Sequence, residues 1–141
     1  MKAMKLVLFV CFFLIPIFSH SATIHFLVAN ETMISKRVYD ELLDSRYYSY
    51  IGKYLLEDSS PGIDGVKDGE YVIRWLVSKE NSFSNIVYFG YIGIYKMSTI
   101  NNRREYLLRN CLTVIYTNPE SLIMYCKNSI LGWIKDGFVT Y

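Results

Sequence analysis

Histidine is nearly missing from this chain. Only His20 and His25 occur in 141 residues, both close to the start. A Ser-His or Cys-His nucleophile inside the body of the chain therefore has no base to draw on. No His/Cys cluster has zinc spacing, and no metal or cofactor is expected. No glycine-rich phosphate loop follows a strand pattern. Three prolines and eight glycines give no low-complexity linker, and no repeat of fixed period occurs. No long run of basic residues occurs either. Asn101-Asn102-Arg103-Arg104 comes nearest and reads as a solvated turn, so nucleic acid is not an expected partner.

What the chain does have begins at its first residue. Lys2 and Lys5 precede residues 6–18, an apolar run without charge, and Ser19-His20-Ser21-Ala22 follows with small residues. Basic start, apolar middle and small-residue exit make the layout of a secretory signal, with cleavage expected after Ser21 or Ala22. Thirteen residues are too few to cross a bilayer core, which needs roughly 20. The competing reading is an uncleaved anchor over residues 6–29, because no charge occurs between Lys5 and Glu31. Under either reading the bulk of the chain, residues 23–141, is one exported domain with a modest core. The expected location is the periplasm or the periplasmic face of the inner membrane, with secretion as the alternative. The net charge of +2 falls to about zero without Lys2 and Lys5.

Export puts Cys111 and Cys126 in an oxidising compartment. Residues 111–117 read as a strand, Asn118-Pro119 as a turn, and residues 120–127 as the returning strand. That register sets Cys111 opposite Cys126, Thr113 opposite Met124 and Ile115 opposite Leu122. A disulfide there would close a loop of about 15 residues, worth roughly 3 kcal/mol, and the alternative is two buried free thiols.

Upstream, residues 30–44 read as a helix with Ile34, Val38 and Leu42 on one face, widened by Tyr39 and Leu43. Asn30 or Thr32 can cap its start. From Tyr47 on the pattern is strand-like: residues 48–56, then 70–78, 86–97 and 105–116. Gly90 and Gly93 mark a bulge or bend. Residues 130–135 and 138–141 flank Asp136-Gly137, a tight-hairpin signal. The expected class is α+β and mostly antiparallel: a short N-terminal helix, then a bent meander of six or seven strands, partly closed into a barrel.

Asp64, Asp68 and Glu70 lie close in sequence, and carboxylates can do acid–base work. They read first as turn residues and a solvated strand end, as do Glu120 and Asp136, so an enzyme is not expected. Thirteen tyrosines form the other unusual feature. Tyrosine suits half-buried strand positions and also interfaces. Tyr71, Trp75, Tyr88, Phe89, Tyr91 and Ile92 are the candidates for an apolar pocket or interface. A barrel interior lined by Trp75, Phe89 and Ile92 would make an apolar-ligand carrier for bile acids or lipids. Exposed tyrosines on a stapled hairpin would suit a secreted adhesin or toxin-binding subunit. Acid sensing within the barrel would need carboxylates instead of histidine. Asn30-Glu31-Thr32 matches the glycosylation triplet, which matters only in a eukaryotic or viral setting.

Several segments carry a family pattern. Leu42-Leu43-Asp44-Ser45-Arg46-Tyr47-Tyr48-Ser49 is followed by Asp68-Gly69-Glu70-Tyr71-Val72-Ile73-Arg74. Gly90-Tyr91-Ile92-Gly93-Ile94-Tyr95 and Glu105-Tyr106-Leu107-Leu108 come next. Over residues 42–116 this resembles the ToxS-like small periplasmic partners of membrane-bound transcription activators, including companions of fimbrial-gene activators. The disulfide hairpin lies outside that pattern. The resemblance implies a lipocalin-like barrel and a non-enzymatic role. Its partner would be the periplasmic domain of an inner-membrane activator of virulence or fimbrial genes, which it would stabilise or regulate.

Overall fold

The computed structural model describes residues 22–29, 32–82 and 85–137. Strand β1 (Ile24–Val28) leads into helix α1 (Met33–Leu43). A 3-10 turn (Tyr48–Tyr50), strand β2 (Ile51–Leu56) and a second 3-10 turn (Gly62–Gly65) follow. Then come β3 (Tyr71–Ser82), β4 (Asn85–Ile100), β5 (Arg103–Tyr116) and helix α2 (Pro119–Lys135). The five strands form one sheet in the order β2-β1-β3-β4-β5. β1 runs parallel to both its neighbours, while β3, β4 and β5 form an antiparallel meander. The class is α+β with a mostly antiparallel sheet and an N-terminal helix, as expected. Among the described residues the sheet stays open, with β2 and β5 as its edges, and no barrel closes.

β1 has no counterpart among the expected strands. All five of its residues are buried, and it pairs on both sides. A central parallel strand reads as an unbroken apolar run, without the alternation that marks a half-exposed strand. The apolar run after His20 therefore belongs to the sheet, and residues 1–21 of the candidate leader lie outside the described residues.

α1 forms where its pattern predicts. Thr32 Oγ1 accepts from the Ser35 N–H, and Ser35 Oγ accepts from the Thr32 N–H, a reciprocal cap. Ile34, Val38, Tyr39 and Leu42 are buried, while Leu43 is exposed. The expected strand at residues 48–56 is shorter, because Tyr48–Tyr50 form the 3-10 turn and pairing starts at Ile51.

The expected hairpin after β5 is instead a helix. Asn118 Oδ1 accepts from the Glu120 N–H and caps α2, and Pro119 occupies the first turn. There its missing N–H costs nothing and its fixed φ suits the helix. Leu122, Ile123, Cys126, Ile130, Trp133 and Ile134 are buried, a helical stripe. Asp136 then ends the helix and Gly137 takes φ +80°, so Asp136-Gly137 is a helix exit and not a hairpin. Residues 138–141 lie outside the described residues.

Both faces of the sheet are used. One face carries Ile24, Phe26, Val28, Tyr71, Ile73, Trp75, Val77, Ile92 and Ile94 against both helices. Phe26 stacks on Trp75 at 6.0 Å and meets Tyr39 edge-on at 5.3 Å. Arg37 pairs with Glu120, and Lys127 with Glu41 at 3.2 Å, tying the helices together. The other face has a smaller core of Leu27, Leu55, Val66, Val72 and Met97 beneath residues 57–70. Arg104 fastens that segment through the Val66 carbonyl, Asp64 and Asp68. The turn before it is Asn101-Asn102, at φ 51° and 63°.

Candidate functional site

The structure does not gather the expected pocket residues. Tyr71, Trp75 and Ile92 are buried under the helices, with Tyr88 half-buried on the same face. Phe89 and Tyr91 alternate with them along β4 and so point to the opposite face. An open sheet has no interior for the three supposed cup residues to share.

Trp75 and Tyr91 do border one small cleft of about 240 Å³, with Ala29, Glu57, Arg74 and Leu76. It sits where β1 and β2 end, the crevice in which parallel strands commonly hold ligands. Arg74, Glu57 and Tyr91 already have side-chain partners, whereas the buried Trp75 Nε1 has no hydrogen-bond partner among the described residues. Arg74 donates from Nε and Nη2 to Glu57 Oε1, at 2.9 and 2.6 Å. Tyr91 and Tyr95 share a phenol hydrogen bond of 2.7 Å, which with burial pushes the Tyr91 hydroxyl up to about 12. Gly93 lies beneath that bond, where an added Cβ would come within 2.8 Å of the Tyr95 ring.

The carboxylates are likewise engaged. Asp64 and Asp68 anchor Arg104. Glu70 accepts from the Lys67 N–H and from His25 Nε2, both at 2.8 Å. Burial works to raise the Glu70 carboxyl, but those two donors outweigh it and hold it below its ordinary value. His25 is part of the domain, buried in β1, and its Nδ1 accepts from the Lys53 N–H at 3.0 Å. The sequence signal for this position was its place inside an apolar run, where a histidine needs fixed partners.

Cys111 and Cys126 are both free thiols. The expected disulfide rested on a hairpin that α2 replaces. Cys126 is buried on the core side of α2, where burial pushes its thiol up to about 12. Cys111 is exposed on β5.

The outer edge of the sheet is the surface still open. β5 is fourteen residues long and, among the described residues, pairs only with β4. Leu108 and Ile115 are 54% and 65% exposed. Ile94 pairs with Asn110 and Tyr95 with Leu108, so Arg109 bulges without an opposite residue. The Cys111 N–H donates to Asn110 Oδ1 at 2.9 Å. On the side of α2 away from its buried residues, Ser121, Met124, Tyr125, Asn128 and Ser129 form a second helical stripe. With Tyr116 at the end of β5 they line a groove of about 510 Å³. Met124 is 63% exposed, and the Tyr116 and Tyr125 rings lie 5.7 Å apart. This stripe was hidden by the strand reading of residues 120–127.

No family model and no curated protein matches the chain. Among solved structures it is similar to the hypothetical protein CT253 from Chlamydia trachomatis, at a TM-score of 0.40 and 8% identity. The match covers 85% of this chain and 99% of that one, and a likeness so distant carries no argument about function.

Proposed function

We propose that this chain is an exported, non-enzymatic partner protein that works by binding another protein. The partner is the extracytoplasmic domain of a membrane-anchored transcription activator, which the chain stabilises or regulates. The observation that carries the binding role is the edge of β5, unpaired along its outer side among the described residues and flanked by an apolar groove on α2. An unpaired strand of this length is a template for another chain, and proteins that do not use such edges usually cover or shorten them. Export is supported by the leader pattern of residues 1–22. It is also supported by the start of the fold at Ile24, which draws the later apolar residues out of any span. The identity of the partner rests on the resemblance over residues 42–116.

The test is recovery of the tagged full chain from fractionated cells of its own source, followed by purification from detergent-solubilised envelope. The expected result is retention in the envelope together with a single-span protein that carries a cytoplasmic DNA-binding domain. A chain found in the cytosol, or released wholly to the medium, would overturn this reading; release would favour an adhesin.

A further inference from the structure

We infer that the groove between β5 and α2 takes one extended segment of a partner protein, added to the sheet as a sixth strand. This segment is uncharged for about six residues, apolar at alternate positions, and has an acidic residue at the end beside Arg109. The inference rests on the binding role proposed above and specifies its contact.

Two features meet at this place. The first is the backbone edge. The Cys111 N–H turns to the Asn110 side chain and away from β4. Alternation along an antiparallel strand then turns the N–H groups of Thr113 and Ile115 outward as well, ready for another strand. The second is the helix beside it. Main-chain bonds to an edge give affinity, and pockets for alternate side chains give selectivity. Met124, Tyr125 and Tyr116 supply apolar contact there, with Ser121, Asn128 and Ser129 among them.

Charge chooses the occupant. Residues 111–117 and the groove lining contain no charged side chain. The charged residues of α2 nearby are spoken for, Glu120 by Arg37 and Lys127 by Glu41. An uncharged segment therefore fits the length of the edge. Arg37, Arg74 and Arg104 all have acidic partners. Arg109 is exposed and has none among the described residues. It stands at the bulge where the uncharged stretch begins, so it favours an acid at that end of the segment.

The same accounting disfavours a second copy of this chain. Glu105 is the only acid on β5. An antiparallel pairing of two β5 strands that brings Glu105 of one copy to Arg109 of the other centres on Leu107. That register leaves residues 112–116 and the groove uncovered. A register centred on the uncharged stretch leaves both Arg109 side chains without acids.

The experiment pans random twelve-residue peptides displayed on phage against the full chain, then maps the best peptide by amide chemical shifts. The expected winners are uncharged, alternating sequences with Asp or Glu at one end, shifting amides of residues 111–117 and 121–129. Thr113→Pro removes an outward N–H without touching the ladder to β4, and Met124→Glu puts a charge in the groove. Each should weaken binding at least about ten-fold. Arg109→Glu should change the selected end residue from acidic to basic. The inference is overturned if no peptide is enriched, or if the shifts map instead around Leu76 and Phe89. It is equally overturned if all three variants bind as the parent does, or if β5 proves to be the contact of a homodimer. Should any of these occur while the envelope partner still co-purifies, the binding role stands and only its place moves.

Discussion

His25 ties three pieces of chain together. It sits on β1, accepts from the β2 backbone at Lys53 and donates to Glu70 at the start of β3. Its Nδ1 must be unprotonated to accept, so the proton lies on Nε2. Replacing His25 with leucine removes the acceptor of the part-buried Lys53 N–H and the partner of Glu70. The expected cost is about 1–3 kcal/mol, read by urea denaturation. Glu70 gives a pH signature of defined sign. Its carboxyl is held below its ordinary value of 4.5 in the fold. Its contribution is therefore present above that ordinary value and is lost as pH falls through the lower, folded one. Thermal melts should show the parent losing stability below about pH 4.5 more steeply than Glu70→Gln. Gly93 offers a test of close packing. Alanine there would push a methyl against the Tyr91 hydroxyl and the Tyr95 ring, at 2.9 and 2.8 Å. A loss of about 1–3 kcal/mol is expected, with Gly132→Ala as the unobstructed helical control.

At the scale of elements, α2 shows how a local signal changes meaning with its surroundings. Asn118-Pro119 is a turn signal in isolation, but both residues also suit a helix start. What decides is burial: Leu122, Cys126 and Ile130 return every four residues, while Met124, which the strand reading paired with Thr113, faces out. Asn118→Ala should cost about 1 kcal/mol through the lost cap, whereas a turn would be little affected. The cysteines report on the same element. A maleimide followed by peptide mapping should label Cys111 quickly in the native protein and Cys126 only on unfolding. Labelling of neither, with a linked peptide in its place, would restore the hairpin. α1 and the β3–β4–β5 meander were legible because one face of each meets solvent, which leaves a period to read. β1 was not, because it has no solvent face.

On the scale of the whole molecule, the sequence conveyed the class but not the closure. Alternating aromatic strands are compatible with a barrel and with an open sheet. What opens this one is the pair of helices, which cover the face carrying Trp75 and Ile92 and leave β5 as an edge. The candidate site followed the same rule. Tyr71, Trp75 and Ile92 are aromatic or apolar because they are core. The edge and its groove draw on residues from β5 and α2 whose nearness depends on the tertiary fold. Site-specific photocrosslinking in the living source cell tests the central claim most directly, with the crosslinker at Ile115 and a control at Lys36 on α1. The account predicts one discrete adduct with a membrane protein from position 115, absent from position 36 and lost in the Thr113→Pro background. No adduct at 115, or the same adduct from both positions, would contradict it.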